Sequence, residues 1–260
     1  MEYYITVEPG VRVFVQDLNP TGKKTILFIH GWPLSHKQYE YQFNILPSMG
    51  IRCIGMDWRG FGNSDKPFVG YNLDRLADDI RVIIDTLQLT DITLAGHSAG
   101  GALAIRYIAR HQSYGVSKLV LIDAQSPGSV PQKDANMFIS GTLTDRPQML
   151  AGLPESFFFK HITGPFSDWF IQIGLQAAGW STAAVMATLR DENVRGDLGK
   201  INVPTLIIHG VHDKVVPFAN AQETNKLIHN SVLVPFQYSS HVPFLDERDY
   251  FNRLLTQFVE

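Results

Sequence analysis

The chain has 260 residues, of which 45% are hydrophobic and 18% are charged, and its formal net charge at pH 7 is -3. This length suits one large domain with room for an insertion, and the composition excludes a disordered chain. The small negative charge gives no electrostatic reason to bind nucleic acid or an anionic membrane, so we expect neither as a partner.

The cysteine count and the N-terminal residues exclude further classes of protein. A single cysteine, Cys53, cannot form an internal disulfide or a zinc cage, and we expect neither a metal nor a cofactor. The N-terminal residues lack the apolar stretch of a signal peptide, and no run approaches the roughly 18 apolar residues of a membrane span. We therefore expect a cytoplasmic protein, while the sequence leaves its oligomeric state open.

Apolar runs of strand length alternate along the chain with stretches of helical period. The runs 3–7 and 11–15 flank the turn Glu8-Pro9-Gly10 and predict an antiparallel hairpin. Six further runs have the composition of strands that are buried on both faces of a parallel sheet. They cover residues 25–29, 52–56, 92–95, 118–122, 205–208 and 231–235.

The clearest predicted helix covers residues 72–87 and begins at Asn72, which is a suitable N-cap residue. Its apolar residues share one face at helical spacing: Leu73, Leu76, Ala77, Ile80, Ile83, Ile84 and Leu87. Further helices are predicted over residues 99–110, 218–229 and 244–258. This alternation predicts an α/β fold with a mostly parallel eight-stranded sheet flanked by helices.

No strand is predicted between Ala124 and Val203, a segment rich in aromatic residues. It contains stretches of helical period at residues 168–178 and 181–190. Because a connection of this length normally has structure of its own, we expect residues 125–203 to form a small helical cap. The α/β core would then consist of residues 1–124 and 204–260.

Residues 96–100 read Gly-His-Ser-Ala-Gly, which matches G-x-S-x-G between a predicted strand and a predicted helix. A sharp turn of this kind holds its serine in a strained backbone conformation, and the flanking glycines let neighbouring backbone approach closely. The hydroxyl then projects above the sheet at a helix N-terminus, where developing negative charge is favoured. The pattern predicts Ser98 as a nucleophile.

A serine at neutral pH needs a base to become a nucleophile. Of the nine histidines, His241 follows the last predicted strand directly before the final helix, so we expect it at the sheet edge that carries Ser98. Asp213 follows the strand 205–208 and could orient His241 from the same edge. Asp123 ends the strand 118–122, reaches that edge too, and stays open as the alternative acid.

A tetrahedral intermediate also needs hydrogen-bond donors for its oxyanion. One predicted donor is the backbone N–H of Ala99, which follows Ser98 directly. The other is the N–H of Trp32 in the loop His30-Gly31-Trp32-Pro33, since Pro33 has no N–H to donate.

Together these motifs resemble the α/β-hydrolase superfamily, and most closely its branch of small bacterial esterases once called cofactor-free haloperoxidases. The resemblance covers residues 25–124 and 204–260 well and the expected cap poorly. The order Ser98, Asp213, His241 is the order that the superfamily requires, and we favour Asp213 over Asp123 as the acid. The stretches that carry the resemblance are residues 30–33, 56–65, 96–101, 210–213 and 240–241.

The resemblance implies a serine carboxylesterase that acts on small or aromatic esters through an acyl-enzyme. Members with a proline after the oxyanion tryptophan, as at Pro33, also tend to accept hydrogen peroxide, so perhydrolysis is an expected side activity. Haloalkane dehalogenases and epoxide hydrolases have an aspartate where Ser98 stands and are excluded.

Six residues are candidates for the substrate pockets from their loop positions: Trp32, Phe158, Phe159, Trp169, Val216 and Val242. Two alternatives to an esterase stay open. One is a hydrolase of lactones or carbon–carbon bonds with the same fold. The other is a ligand-binding receptor with slow turnover.

Overall fold

The computed structural model describes residues 1–260 and contains one eight-stranded sheet with the order β1-β2-β4-β3-β5-β6-β7-β8. Its strands are β1 (Glu2–Glu8), β2 (Val11–Leu18), β3 (Lys24–Ile29), β4 (Ile51–Met56), β5 (Ile92–His97), β6 (Val116–Ile122), β7 (Thr205–Gly210) and β8 (Ser231–Phe236). The pairs β1–β2 and β2–β4 are antiparallel, and all other pairs are parallel. The predicted mostly parallel sheet of eight strands is confirmed.

Both faces of the central strands are covered, so β5 and β7 are buried along their whole length. Successive side chains of a strand point to opposite faces. Along β3, Leu27 and Ile29 therefore join one hydrophobic cluster, while Ile26 and Phe28 join a second cluster on the other face. This explains why the runs read as continuously apolar in the sequence.

The helices of the core are α1 (Glu40–Phe43), α2 (Leu73–Thr86), α3 (Ala99–His111), α10 (Phe218–Leu227), α11 (Pro243–Asp246) and α12 (Arg248–Val259), with short 3-10 helices at His36–Tyr39 and Leu46–Met49. The helices predicted over residues 72–87, 99–110 and 218–229 have bounds close to those of α2, α3 and α10. The side chain of Asn72 accepts a hydrogen bond of 2.7 Å from the amide of Arg75 and caps α2. The single helix predicted over residues 244–258 is wrong, because Glu247 leaves the helical conformation and separates α11 from α12.

Six helices lie between β6 and β7, where a helical insertion is predicted. They are α4 (Gln132–Thr144), α5 (Arg146–Ala151), α6 (Leu153–Phe157), α7 (Gly164–Leu175), α8 (Gly179–Asp191) and α9 (Arg195–Leu198). We refer to residues 125–203 as the helical segment. In the whole chain, no helix has both the length and the apolar character that crossing a membrane requires.

The parallel strands end at one edge of the sheet, and the loops that follow them carry the polar residues singled out above. In chain order these residues are His30 after β3, Ser98 after β5, Asp123 after β6, Asp213 after β7 and His241 after β8.

Candidate active site

Ser98 lies in the turn between β5 and α3, with φ of 53° and ψ of -121°. A positive φ is unfavourable for a residue with a side chain, and such strain costs on the order of 1–3 kcal/mol. The turn is fixed to the next strand, because the amide of Ser98 donates a 2.9 Å hydrogen bond to the carbonyl of Ile122. The strained serine expected from the G-x-S-x-G motif is therefore present.

Two glycines of the motif stand where no side chain fits. A Cβ atom on Gly96 would collide with the carbonyl of Gly100, and one on Gly100 would collide with the carbonyl of His30. The first turn of α3 can therefore approach both β5 and the loop after β3. This close approach brings Ser98 and the His30–Pro33 loop together.

The predicted nucleophile, base and acid form a continuous line of hydrogen bonds. His241 Nε2 lies 2.9 Å from Ser98 Oγ, and His241 Nδ1 lies 2.7 Å from Asp213 Oδ2. Since an ionised carboxylate only accepts hydrogen bonds, Nδ1 carries the imidazole proton and Nε2 is free to accept the proton of Ser98. Ser98 is 8% exposed and His241 is fully buried, so the line is shielded from solvent.

Asp213 is held by its own loop. Its Oδ1 atom accepts hydrogen bonds from the amides of Val215 at 2.7 Å and Val216 at 2.9 Å. Burial alone would raise the pKa of Asp213, but interactions with His241 and His209 outweigh burial and bring the pKa well below its usual value. The carboxylate is therefore ionised and can stabilise a protonated His241.

Asp123, the alternative acid, is part of the same cluster but does not have the short contact with His241. One ligand atom each of Asp123, Asp213 and His241 lie within 4.8 Å of one another. Asp123 Oδ1 accepts a 2.9 Å hydrogen bond from the amide of Gly210, and its Oδ2 is buried and accepts none. Burial, and then the charge of Asp213, raise the pKa of Asp123 well above its usual value. The geometry favours Asp213 as the partner of His241.

These three residues also have the composition of a metal site. However, the 2.7 Å separation of His241 Nδ1 and Asp213 Oδ2 is that of a hydrogen bond. Two ligands of one ion at metal distances of about 2 Å would have to lie further apart. The cluster therefore fits hydrogen bonding better than it fits an ion.

The two predicted oxyanion donors border the same cavity as Ser98. The amide of Ala99 opens α3 and so has no acceptor within the helix. The amide of Trp32 has no acceptor in the protein, and the Trp32–Pro33 peptide bond is cis. The indole of Trp32 is fixed by a 2.8 Å hydrogen bond from Nε1 to the carbonyl of Thr182 and by the ring of Phe138. Both amides are thus available to a ligand.

The cavity above Ser98 has a volume of about 680 Å³. Its walls are mainly apolar and come largely from the helical segment, including Val130, Phe138, Met149, Leu153, Phe157 and Met186. Charged side chains that border it are Asp134, Asp145 and Lys214, all of them exposed. The arrangement provides an apolar site with the Ser98 hydroxyl at its base.

Of the six predicted pocket residues, Trp32 borders this cavity and the other five do not. Phe158 is buried against the rings of Phe166 and Phe170. Phe159 is 44% exposed and stacks on His212. The neighbouring Phe157 faces the cavity instead, because the chain becomes extended after α6 and successive side chains point to different sides.

The remaining three predicted pocket residues are also placed elsewhere. Trp169 packs on Tyr41 and borders a different pocket, together with Leu18 and His36. Val216 and Val242 are 1% and 0% exposed and lie within the protein interior. Val215 borders the cavity in place of Val216. The position of a residue in a loop predicts which part of the site it lies near, but it does not predict the direction of its side chain.

The structure also shows polar residues that the sequence analysis missed. Asp246 in α11 accepts hydrogen bonds from the amides of Ser240 at 3.0 Å and Phe159 at 3.0 Å. The amide of His241 donates to the carbonyl of Phe157 at 2.9 Å. The loop that carries His241 is therefore bound directly to the helical segment. Only the proximity of Asp246 to His241 in sequence could have drawn attention to it.

Comparison with known proteins agrees with this fold. A family model described as the alpha/beta hydrolase fold matches residues 24–161. The AB hydrolase superfamily protein YisY of Bacillus subtilis is 43% identical, with 99% of each chain covered. The non-heme chloroperoxidase CPO-A1 of Kitasatospora aureofaciens is 32% identical over 98% of each chain. The solved esterase EaEST from Exiguobacterium antarcticum has a TM-score of 0.96 and 37% identity, covering 100% of this chain and 99% of its own. The chain therefore belongs to the α/β-hydrolase superfamily, in its haloperoxidase and esterase branch.

Proposed function

We propose that the protein is a serine ester hydrolase that works through an acyl-enzyme, with Ser98, His241 and Asp213 as its catalytic triad. The observation that carries the proposal is the line of hydrogen bonds from Ser98 Oγ through His241 to Asp213. This line opens into an apolar cavity beside two free amides. The names of EaEST, an esterase, and of the haloperoxidase relatives are consistent with it.

In the first half of the proposed reaction, Ser98 Oγ attacks the ester carbonyl carbon while His241 Nε2 takes the hydroxyl proton. The amides of Trp32 and Ala99 donate hydrogen bonds to the resulting oxyanion, and such a donor is worth about 2.7–4 kcal/mol. His241 then gives its proton to the ester oxygen. The carbon–oxygen bond breaks, the alcohol leaves, and the acyl group remains on Ser98.

In the second half, His241 takes a proton from water, which attacks the acyl carbon of the acyl-enzyme. The tetrahedral intermediate collapses, the carboxylic acid leaves, and Ser98 regains its proton from His241. Asp213 balances the positive charge of His241 in both halves.

We propose that the helical segment acts as a cap that selects the substrate. Its helices supply most of the apolar wall, including Phe138, Met149 and Met186. The exposed carboxyl groups of Asp134 and Asp145 border the cavity, whereas Lys214 is directed to the carbonyl of Glu155 at 3.3 Å. Neutral esters with an apolar acyl or aryl group suit such a site better than anionic esters.

Perhydrolysis is a second proposed activity of the same site, supported by the 28% identity to the bifunctional esterase/perhydrolase DCH of Acinetobacter calcoaceticus. Hydrogen peroxide would replace water in the second half of the reaction. One peroxide oxygen attacks the acyl carbon while His241 takes its proton. His241 then returns the proton to Ser98 Oγ as the bond between Ser98 and the acyl carbon breaks, and the product is a peracid. The reaction uses the same side chains and needs no redox change in the protein.

The test combines a fluorescent phosphonate probe with a panel of p-nitrophenyl esters and lactones, each assayed with the wild-type protein and with Ser98→Ala. We expect labelling and turnover of about 1–1,000 per second on a good ester, both lost in Ser98→Ala. Labelling with almost no turnover would favour a receptor. Turnover that survives in folded Ser98→Ala protein would refute the mechanism.

A further inference from the structure

A second line of hydrogen bonds connects the loop His30–Pro33, which we call the oxyanion loop, to the backbone of His241. The amide of Gly31 donates to Gln38 Oε1 at 3.1 Å, and Gln38 Nε2 contacts His97 Nδ1 at 3.2 Å. His97 Nε2 contacts the carbonyl oxygen of His241 at 2.8 Å. Gln38 and His97 are both fully buried, and neither of them touches the reacting atoms.

The direction of every hydrogen bond in this line is fixed by its two ends. The amide of Gly31 can only donate, so Gln38 presents Oε1 to it and its NH2 group to His97. The carbonyl of His241 can only accept, so His97 carries its proton on Nε2 and accepts at Nδ1. The line therefore requires a neutral His97. Burial, and then the neighbouring His241, keep the pKa of His97 well below its usual value, which agrees with this requirement.

The two groups at the ends of the line belong to the chemistry proposed above. Gly31 directly precedes Trp32, whose amide is one of the two oxyanion donors. The loop lies against the triad, since a Cβ atom on Gly31 would be 2.5 Å from His97 Nδ1 and 3.2 Å from Ser98 Cβ. At the other end, the rings of His97 and His241 have centroids 4.8 Å apart. A small displacement of His97 would therefore shift both the loop that carries Trp32 and the backbone of His241.

We propose that Gln38 and His97 are positioning residues that set the distance between the oxyanion donor of Trp32 and the base His241. This inference rests on the proposed function. Proton transfer from Ser98 and charge development on the carbonyl oxygen occur in the same step, so both groups must be correctly placed at the same time. A displacement of about 1 Å can lower a rate by roughly 10²-fold.

The central variants are Gln38→Met and His97→Leu. Each replaces a polar side chain by an apolar one of similar size and so breaks the line of hydrogen bonds. His97→Gln is the conservative counterpart, because the amide oxygen and NH2 group of a glutamine can replace the acceptor and the donor of the imidazole. Gln42→Met is the matched control. Gln42 is also a fully buried glutamine, but its Nε2 donates to the carbonyl of Phe244 at 2.8 Å and to Asn252 Oδ1 at 3.1 Å, and it has no hydrogen bond to Gly31 or His97.

The experiment measures kcat and KM on a p-nitrophenyl ester, the affinity for a trifluoromethyl ketone, and the melting temperature of each variant. Ser98 Oγ adds to the carbonyl carbon of the ketone. The adduct has an oxyanion at the position that the oxyanion of the tetrahedral intermediate occupies. Active protein is counted with the phosphonate probe, so that misfolded molecules do not lower the apparent kcat.

We expect Gln38→Met and His97→Leu to lower kcat by about 10–100-fold with KM changed less than about twofold. The affinity for the ketone should fall by the same factor as kcat/KM, and His97→Gln should recover most of the loss. Gln42→Met should lower the melting temperature with little effect on kcat.

The inference is overturned if Gln38→Met lowers kcat no more than Gln42→Met does, or if His97→Gln is as impaired as His97→Leu while folded. Failure of the proposed function gives a different result. In that case, the wild-type protein itself shows no turnover that depends on Ser98.

Discussion

Asp123 and Asp213 bring two buried carboxyl groups within 4.8 Å of each other beside a ring nitrogen of His241. Two carboxylates at this distance in a buried site cannot both be ionised without a large energetic penalty. Asp213 accepts hydrogen bonds from two backbone amides and from His241, whereas Asp123 accepts a hydrogen bond from one amide. We therefore expect Asp213 to hold the negative charge and Asp123 to hold a proton.

The first prediction separates the two carboxyl groups by their effect on turnover. Asp213→Asn should lower kcat by about 10³–10⁴-fold, because an amide can donate to His241 Nδ1 and favours the wrong tautomer. Asp123→Asn should lower kcat less than about tenfold, since an amide replaces a protonated carboxyl group closely. Ester hydrolysis by active-site-titrated variants is the measurement, and the reverse order of effects would make Asp123 the triad acid.

The second prediction concerns the pH dependence of stability. Between about pH 4 and its raised pKa in the folded protein, Asp123 is ionised in the unfolded chain but protonated in the folded protein. The folded state then binds more protons, so this residue destabilises the wild-type protein progressively as the pH rises toward the folded pKa. Asparagine has no such dependence. The difference in melting temperature, Asp123→Asn minus wild type, should therefore grow between pH 4 and pH 7.

Melting curves of both proteins at several pH values within this range provide the measurement. Other titrating groups are common to the two proteins and largely cancel in the difference. A difference that stays constant with pH would mean that Asp123 is ionised in the folded protein, contrary to the arrangement described here.

The third prediction tests the close approach of α3 to the loop after β3. Gly100→Ala should destabilise the protein by about 1–3 kcal/mol and lower kcat at least tenfold, because the new Cβ collides with the carbonyls of Ile29 and His30. Gly164→Ala is the control, since Gly164 begins α7 and a Cβ there meets no atom within 4 Å. The measurements are the free energy of unfolding from urea denaturation and kcat for ester hydrolysis, for both variants. Equal stability of the two variants would argue against the close approach.

The fourth prediction tests the wall of the cavity. Met149→Trp should lower kcat/KM for long acyl esters at least tenfold relative to acetate, because the indole fills space next to Phe138 and Leu153. Leu143→Trp on α4 serves as the control, because Leu143 is 65% exposed and does not border the cavity. The measurement is a series of p-nitrophenyl esters of increasing chain length. An unchanged series in Met149→Trp would place the acyl group elsewhere.

The sheet and the edge that carries Ser98, Asp213 and His241 could be predicted because their signals are local. A strand buried on both faces reads as an apolar run, and the C-terminal ends of parallel strands share one edge. A residue just after such a run therefore has a known position in the fold. Hydrogen-bond distances between these residues depend on the whole assembly and needed the structure.

The cavity wall could not be predicted in the same way. Phe157 and Phe158 are neighbours and both contact Phe170, yet Phe157 borders the cavity and Phe158 packs against Phe166 instead. A helix as short as α6 has too few residues for its period to define a buried face. The break between α11 and α12 at Glu247 could not be predicted either, because the spacing of Phe244 and Phe251 also fits one continuous helix.

The line through Gln38 and His97 was missed for a related reason. These residues are 59 positions apart in sequence, and no local pattern connects a glutamine in a short 3-10 helix with a histidine at a strand end. His97 directly precedes Ser98 in the sequence, and its ring contacts the backbone carbonyl of His241.

The backbone of Ser98 places stability and activity in conflict at a single residue. Its φ of 53° lies where glycine is comfortable and serine is not, so Ser98→Gly should fold more favourably than the natural chain. In the absence of selection for turnover, the substitution Ser98→Gly would thus increase the stability of the protein. Persistence of serine at this position therefore requires continued selection for the function of the hydroxyl, since the folded protein would be more stable without the side chain.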